Sequence, residues 1–225
     1  MGILIAIDGV DASGKQTQSQ LVFDKLIKQG KKARLVSFPD YSSDSSALVR
    51  MYLNGEFGSD PSDVNAYAAS TFFAADRFAS YRRDWKKDYE NGVVMIADRY
   101  VQSNMIHQAS KLPASEKEKF IDWLYELEYG IYALPKPDVT IFLDMPPEKA
   151  RELMAERENK FTRSADKDIH ERNSEYLLKS YENAVFIAQK LGWTRISCVK
   201  DGKLRSVEDI NDEIMKTAAP LLHDK

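Results

Sequence analysis

One seven-residue segment near the N-terminus constrains the fold of this chain more than any other feature. Residues 9–15 read Gly-Val-Asp-Ala-Ser-Gly-Lys, which fits the pattern G-x-x-x-x-G-K. The apolar run Ile3–Asp8 precedes this segment, and a helix-like stretch, Lys15–Gln29, follows it. Glycines let the backbone curl so that successive N–H groups point at phosphate oxygens, and the helix adds its positive N-terminal end. Because Lys15 adds a mobile charge for β- and γ-phosphates, the segment predicts a nucleotide-binding loop rather than a tight turn with a surface lysine.

The rest of the chain alternates between short apolar runs and longer helical stretches. The other strand-sized runs, nearly continuously apolar as buried parallel strands are, are Ala33–Ser37, Val93–Ala97, Val139–Asp144 and Thr194–Val199. The other helical stretches include Pro61–Asn91, Asp168–Leu191 and Ser206–Leu221. This alternation predicts a three-layer α/β fold with a five-stranded parallel sheet flanked by helices. With 225 residues and no repeat or linker, we expect residues 1–225 to form a single domain.

Composition excludes several classes of protein. The chain has 32 Lys and Arg residues against 35 Asp and Glu, so a protein that coats polynucleotides is not expected. A single cysteine, Cys198, and three histidines exclude a disulfide framework and a Cys/His zinc site. No apolar run approaches the roughly 20 residues of a membrane helix, and the N-terminus does not resemble a secretion signal. We therefore expect a cytoplasmic protein without a membrane partner.

Two residues of the phosphate loop are unusual. Gln16 stands where a Ser or Thr hydroxyl normally coordinates Mg²⁺, and Thr17 comes one residue later. Asp11 places a carboxylate in a loop that binds anions, which indicates contact with a metal or a sugar hydroxyl. The alternative for Asp11 is local capping of the turn at Ser13–Gly14.

Further candidate residues follow the third strand and lie on the long helix. Asp98 and Arg99 end a buried strand, and ligands bind at the carboxyl ends of parallel strands. Arg99 could therefore hold a phosphate and Asp98 could orient Lys15 or a metal-bound water, unless the two form a structural ion pair. Phe73 and Arg77 share a helix face at spacing i, i+4, which suits stacking on a base and donation to its carbonyl. Core packing with a surface salt bridge is the alternative for this second pair.

Residues 157–168 form a highly charged stretch between two helical patterns. A mobile lid is one interpretation of this stretch. A solvated helix end is the other, and charge alone favours it.

Taken together, these segments resemble the thymidylate kinase family, which phosphorylates dTMP with ATP. The resemblance extends from Ile3 to about Val199. It is carried by residues 9–18, Phe38-Pro39, Phe73-Ala-Ala-Asp-Arg77, Asp98-Arg99-Tyr100-Val101-x-Ser103-Asn104, Leu134-Pro-Lys-Pro-Asp138 and His170-Glu171-Arg172. The order and spacing of these segments, more than any one of them, indicate the family.

The resemblance implies a P-loop nucleoside monophosphate kinase that converts dTMP to dTDP for dTTP synthesis, with ATP as donor and Mg²⁺ as cofactor. The implied donor site comprises Lys15 and the loop backbone, namely Ala12, Ser13, Gly14, Gln16 and Thr17. The charged stretch becomes a lid at about 157–168, in which Arg157 and Arg163 would be catalytic together with Lys15 and Arg99. The family is usually homodimeric.

The resemblance also implies a site for the acceptor dTMP. Phe73 would stack on thymine, Arg77 would donate to its carbonyl, and Asn104 with Ser103 would bind the remaining pyrimidine edge. Arg99 would hold the 5′-phosphate. The implied substrate contacts are completed by Phe38, His107 and Asp11, and the implied metal ligands are Asp11 and Glu171.

Three positions depart from the family pattern. Asp40 and Tyr41 follow Phe-Pro where many members carry an arginine that grips the acceptor phosphate. His107 stands where an aromatic residue commonly screens against a ribose 2′-hydroxyl, and Gln16 replaces the loop hydroxyl.

Two other functions remain open from the sequence. A deoxynucleoside kinase phosphorylates a hydroxyl and needs a carboxylate base, for which Asp40 stands close to the expected place. A non-catalytic nucleotide switch would lack the acceptor residues Phe73, Arg77 and Asn104.

Overall fold

The five predicted strands form one parallel sheet, which confirms the predicted α/β architecture. The computed structural model describes residues 1–160, 169–170 and 173–223, and for 156–160 and 223 it describes the backbone only. The strands, in the spatial order β2-β3-β1-β4-β5, are β1 Leu4–Gly9, β2 Ala33–Ser37, β3 Val94–Asp98, β4 Val139–Asp144 and β5 Thr194–Ser197. The central strands β1 and β3 are buried along their whole length, as sequences apolar on both faces require.

Helices cover both faces of the sheet. The α-helices are α1 Lys15–Lys28, α2 Ala47–Leu53, α3 Ala66–Ser80, α4 Lys86–Glu90, α5 Val101–His107, α6 Ala114–Tyr125, α7 Pro147–Lys160, α8 Ser174–Lys190 and α9 Val207–His223. Alternate residues of β1 point to opposite faces. Leu4 and Ala6 pack with residues of α3, α5 and α6, whereas Ile5 and Ile7 pack with residues of α1 and α9. The result is two cores separated by the sheet, and hence three layers.

The structure corrects two of the predicted segments. The stretch Pro61–Asn91 is not one helix, because Asn65 caps a new start by accepting a hydrogen bond from the Ala68 amide. A π-helical turn, Tyr81–Trp85, interrupts it again before α4. The run Thr194–Val199 ends as a sheet strand at Ser197, and Val199–Lys200 (β6) instead pairs antiparallel with Lys203–Leu204 (β7).

The carboxyl ends of the strands meet at one edge of the sheet. Gly9 opens the phosphate loop there, Ser37 precedes Phe38, and Asp98 precedes Arg99. The three loops that follow these strands therefore form one crevice, as expected for an open parallel sheet. No helix within the described ranges is both long and apolar enough to cross a bilayer.

Candidate active site

The segment 9–15 adopts the compact loop that its sequence predicts. Ala12 and Gly14 have positive φ angles of 58° and 81°, which turn the chain sharply before α1 begins at Lys15. A Cβ added at Gly9 would lie 2.5 Å from the Ser13 hydroxyl, so this position has no room for a side chain. Lys15 curls back over the loop and its Nζ donates to the Val10 carbonyl at 3.2 Å. The loop thus has the shape and the cation needed to bind a phosphate chain.

The remaining residues of the loop differ in exposure. Ser13 is buried, and its hydroxyl has no hydrogen-bond partner among the described residues. Gln16 and Thr17 lie exposed on the first turn of α1.

Asp11 bridges the phosphate loop and the end of β3. Its Oδ1 lies 2.6 Å from Arg99 Nη2 and 3.5 Å from Lys15 Nζ. Burial alone would raise the pKa of Asp11, but the charges of Lys15 and Arg99 outweigh it and lower that pKa well below its usual range. Burial and the nearby Arg99 lower the pKa of Lys15. Asp11 therefore pairs with two cations rather than capping the turn at Ser13–Gly14.

The charged residues at the end of β3 do not pair with each other in the described structure. Arg99 has a φ of 64°, which carries its side chain back toward Asp11. Asp98 is buried and accepts a hydrogen bond from the Ser37 hydroxyl at 3.2 Å, while its Oδ1 has no hydrogen-bond partner among the described residues. The alternative of a structural ion pair between these neighbours is thus not realised.

A cavity beside the phosphate loop brings together residues from several loops and helices. It is lined by Asp11, Phe38, Pro39, Tyr41, Leu53, Phe73, Arg77, Arg99, Ser103, Asn104, His107, Gln108 and His170. All eight residues that the sequence analysis assigns to the acceptor are among these thirteen. The cavity runs from the Asp11–Arg99 ion pair at one end to α3 at the other.

At the α3 end, an aromatic ring and a guanidinium group face the cavity from one helix face. Phe73 is half-buried and packs edge-on against Tyr52, with ring centroids 6.3 Å apart. Arg77 is 1% exposed and forms a bidentate ion pair with Glu128. Its Nε donates to Glu128 Oε2 and its Nη2 donates to Glu128 Oε1, each at a distance of 2.6 Å. Burial opposes the charge of Arg77, but Glu128 dominates and raises its pKa, so Arg77 is a permanent donor.

The first turns of α5 place two polar side chains on the cavity wall. Asn104 Nδ2 donates to the Ser70 carbonyl at 3.2 Å and lies 3.4 Å from Glu128 Oε1. Ser103 donates to the buried carboxylate of Asp8 at 2.8 Å. Both side chains are therefore held in place by hydrogen bonds of the protein itself.

Two histidines close the side of the cavity, with nearly parallel rings whose centroids lie 6.1 Å apart. His107 Nε2 is 3.2 Å from Arg99 Nη1, and because guanidinium only donates, this nitrogen accepts. Burial and the charge of Arg99 lower the pKa of His107 well below its usual range. His170 Nε2 is 2.8 Å from the Tyr52 hydroxyl, and burial and Lys111 lower its pKa to about 3. Both rings are neutral at physiological pH.

The loop after Phe38-Pro39, where Asp40 and Tyr41 depart from the family pattern, is held by hydrogen bonds to Asp76 of α3. This carboxylate accepts from the Asp40 amide at 2.9 Å and from the Ser45 hydroxyl at 2.6 Å. The Asp40 carboxylate accepts from the Ser42 hydroxyl at 2.6 Å. Tyr41 lines the cavity, but Asp40 is absent from its described lining.

Several predicted residues lie outside the described part of the chain. These are Arg163 and Glu171, together with the side chain of Arg157, whose backbone belongs to α7. Most of the predicted lid, residues 161–168, is likewise outside it.

The sequence analysis overlooked Glu128 and Gln108, and singled out His170 only as part of a motif. Glu128 pairs with Arg77 from 51 residues away, a distance at which no local pattern links two residues. The one available signal was a pair of acidic residues, Glu126 and Glu128, in a stretch that is otherwise mainly apolar and aromatic, Leu124–Tyr132.

Comparison with known proteins identifies the family. The family model described as thymidylate kinase matches residues 7–196 of the chain. A thymidylate kinase of Mycobacterium tuberculosis is 32% identical over 176 residues, which are 77% of this chain and 79% of that protein. The human thymidylate kinase is also 32% identical, over 145 residues, which are 64% of this chain and 61% of that protein.

A solved structure supports the fold. The structure of thymidylate kinase from Candida albicans has a TM-score of 0.72 and 23% sequence identity, and the match covers 100% of this chain and 94% of that one. The family model and the two relatives, added to the cavity beside the phosphate loop, lead to one conclusion: this chain belongs to the thymidylate kinase family.

Proposed function

We propose that the cavity beside the phosphate loop is the dTMP site of a kinase that transfers the terminal phosphoryl group of ATP to dTMP. The family membership supports this activity, since its members are nucleoside monophosphate kinases. The observation that carries the proposal is the placement of Phe73, Arg77 and Asn104 in one cavity with Asp11 and Arg99. A site for a planar base therefore opens directly onto the cations of the phosphate loop.

The base binds at the α3 end of the cavity. The ring of Phe73 stacks on thymine, which has an apolar face and polar edges. Arg77 donates to a carbonyl of the base, and Asn104 binds the neighbouring edge. Phe38, Ser103 and His107 complete the wall around the base and the deoxyribose.

The two phosphate groups meet at the opposite end. Arg99 holds the 5′-phosphate of dTMP. Tyr41, which with Asp40 follows Phe-Pro where many members carry an arginine, lines the same cavity. The loop residues Ala12, Ser13, Gly14, Gln16 and Thr17 and the charge of Lys15 hold the phosphates of ATP. As the phosphates arrive, Arg99 and Lys15 transfer their contacts from Asp11 to phosphate oxygens.

The transfer needs no general base in the protein. The nucleophile is a phosphate oxygen of dTMP, which is anionic near neutral pH. Catalysis then consists of aligning donor and acceptor and of placing positive charge along the transferring group. Lys15 and Arg99 supply that charge from the described residues, and Arg157 and Arg163 add to it from the charged stretch.

The residues around the loop fit a magnesium ion bound mainly through phosphates and water. Mg²⁺ commonly takes only one or two protein carboxylates. Within the described ranges no group of three or more His, Cys, Asp or Glu side chains could hold a metal by itself. Asp11, together with Glu171, which is outside the described residues, would hold the ion, and the buried Oδ1 of Asp98 lacks a partner among the described residues. When bound, Mg²⁺ neutralises charge on the phosphates.

We further propose that residues 1–225 form a single cytoplasmic kinase domain whose segment 157–168 is the lid over ATP, and that two copies associate. Exposed apolar side chains on α3 and on the π-helical turn Glu126–Ile131 support the association. Phe78 is 38% exposed, Ile131 is 68% exposed, and Phe78 packs against Tyr132. Light scattering of the purified protein should give twice the mass of one chain, which is 25.7 kDa. A mass equal to that of one chain would contradict the association.

The assay that tests the activity measures ADP release with ATP and Mg²⁺ across a panel of nucleoside monophosphates and thymidine. We expect saturable turnover with dTMP and none with thymidine. Turnover with thymidine in place of dTMP would instead indicate a deoxynucleoside kinase, although Asp40 is not among the residues that line the cavity. ATP binding by calorimetry without any dTMP binding would indicate a nucleotide switch.

A further inference from the structure

A buried carboxylate lies directly behind the residues that contact the base. Glu128 is 0% exposed and belongs to the π-helical turn that follows α6. Its two oxygens accept from Arg77 Nε and Nη2 at 2.6 Å each, and its Oε1 also lies 3.4 Å from Asn104 Nδ2. One carboxylate therefore contacts both of the polar side chains that face the base.

This contact fixes what Arg77 offers to the cavity. Two of its three nitrogens are committed to Glu128, so the plane and the direction of the guanidinium group are set. Among the residues that the structure describes, the third nitrogen, Nη1, has only a long contact of 3.5 Å to the Tyr100 carbonyl. Because guanidinium has no acceptor, the edge of Arg77 at the cavity can bind a carbonyl oxygen but not an amino group.

The same carboxylate fixes the amide of Asn104. Its Nδ2 lies against two acceptors, the Ser70 carbonyl at 3.2 Å and Glu128 Oε1 at 3.4 Å. If the amide were flipped, Oδ1 would lie against these two acceptor oxygens, which would be repulsive, so the orientation of the amide is determined. Oδ1 is therefore the atom of Asn104 that can accept a hydrogen bond from the base. A fixed donor beside a fixed acceptor matches the adjacent C=O and N–H of thymine or uracil. It opposes cytosine, which presents an amino group and an unprotonated ring nitrogen there.

We propose that Glu128 is a positioning residue that sets the preference for 4-oxo pyrimidines over cytosine by orienting both Arg77 and Asn104. This inference depends on the proposed function, because it places dTMP in this cavity. Glu128 itself does not line the cavity and acts only through its two partners.

The test compares Glu128→Gln with the wild type and with Glu126→Gln, a matched control in which the replaced carboxylate is exposed on the same turn. We expect Glu128→Gln to raise KM for dTMP roughly tenfold and to lower the ratio of kcat/KM for dTMP over dCMP by about the same factor. We expect kcat at saturating dTMP and KM for ATP to stay within about threefold of the wild type, since the contact is to the acceptor alone. An unchanged ratio of kcat/KM for dTMP over dCMP would overturn the proposal, even if KM for dTMP rises. A merely structural role of Glu128 would weaken the binding of both nucleotides equally.

A second measurement decides the question if Glu128→Gln does not fold. In a crystal structure of the wild type with dTMP, we expect Arg77 to keep both bonds to Glu128 while Nη1 contacts the base carbonyl. Departure of Arg77 from Glu128 upon dTMP binding would overturn the proposal. The proposed function fails separately, in the wild type, if dTMP is neither bound nor phosphorylated.

Discussion

Asp11 Oδ1 and Arg99 Nη2 lie 2.6 Å apart, although 88 residues separate them in the sequence. The same oxygen is 3.5 Å from Lys15 Nζ, so one carboxylate of the phosphate loop contacts both the lysine of that loop and the arginine that follows β3. The two cations would otherwise face each other in a partly buried crevice. Asp11 therefore offsets their mutual repulsion.

This relationship predicts a pH-dependent stability contribution from Asp11. Since the folded pKa of Asp11 lies below its unfolded value, ionised Asp11 stabilises the fold above about pH 4, and the contribution is lost as pH falls through the folded pKa. We expect Asp11→Asn to lower the free energy of unfolding at pH 7 by about 1–3 kcal/mol. Denaturant titrations should show this difference narrowing below about pH 4. The prediction would be contradicted if the wild type and Asp11→Asn differed in unfolding free energy as much at pH 3 as at pH 7. It would also be contradicted if Glu116→Gln, which replaces an exposed carboxylate, lowered the unfolding free energy as much as Asp11→Asn does.

Lys15 is expected to act on the transfer step rather than on dTMP binding. Its Nζ lies over the phosphate loop, and Lys15 is not among the residues that line the proposed dTMP cavity. We expect Lys15→Ala to lower kcat by a factor on the order of 10²–10³, because it removes a charge that stabilises the transferring group. The dissociation constant of dTMP, measured by calorimetry, should change by less than about threefold.

The control for Lys15 is Lys28→Ala, which removes an exposed lysine from the last turn of the same helix. Near-normal turnover of Lys15→Ala, or equal losses in both variants, would count against the role assigned to the loop.

The fold was predictable because each sheet strand carries its own signal. A strand that is buried on both faces must be nearly apolar throughout, and the fully buried strands β1 and β3 lie within one residue of the bounds that the pattern predicts. The interruptions of the long helical stretch were not predictable in the same way. Trp85, at the end of the π-helical turn Tyr81–Trp85, packs against Tyr100 from the segment after β3, a contact that arises only in the folded chain.

The residues of the candidate site could be named from the sequence where they belong to short motifs. The loop 9–15 and the i, i+4 pair Phe73 and Arg77 have fixed spacings, and the resemblance to the family extended them to residues such as Asn104. The partners of these residues were not predictable, because ion pairs between distant segments leave no spacing in the sequence. Asp11 with Arg99 and Arg77 with Glu128 are both of this kind.

Removal of Arg77 should weaken dTMP binding more than turnover. Loss of a charged hydrogen bond corresponds to about 1.5–3 kcal/mol, so we expect Arg77→Ala to raise the dissociation constant of dTMP roughly 10- to 150-fold. The change also leaves the buried Glu128 without its cation, which should lower the free energy of unfolding by about 3–5 kcal/mol. Calorimetry below the melting temperature separates the two effects. The control is Arg82→Ala, which removes an exposed arginine just beyond α3. An unchanged dissociation constant of dTMP in Arg77→Ala would contradict the prediction.

His170 should make the protein less stable as the solution becomes mildly acidic. Burial and the charge of Lys111 lower its folded pKa to about 3, whereas an unfolded histidine titrates near 6.5. The unfolded chain therefore binds a proton below about pH 6.5 that the folded chain excludes, and stability falls with pH across this window. We expect His170→Gln to reduce the slope of unfolding free energy against pH by about 1.4 kcal/mol per unit between pH 6 and 4. Between pH 7 and 8 the unfolding free energies of the wild type and the variant should change with pH by the same amount. Identical slopes of unfolding free energy against pH below pH 6 would contradict the prediction, because they would show that His170 is protonated in the folded state.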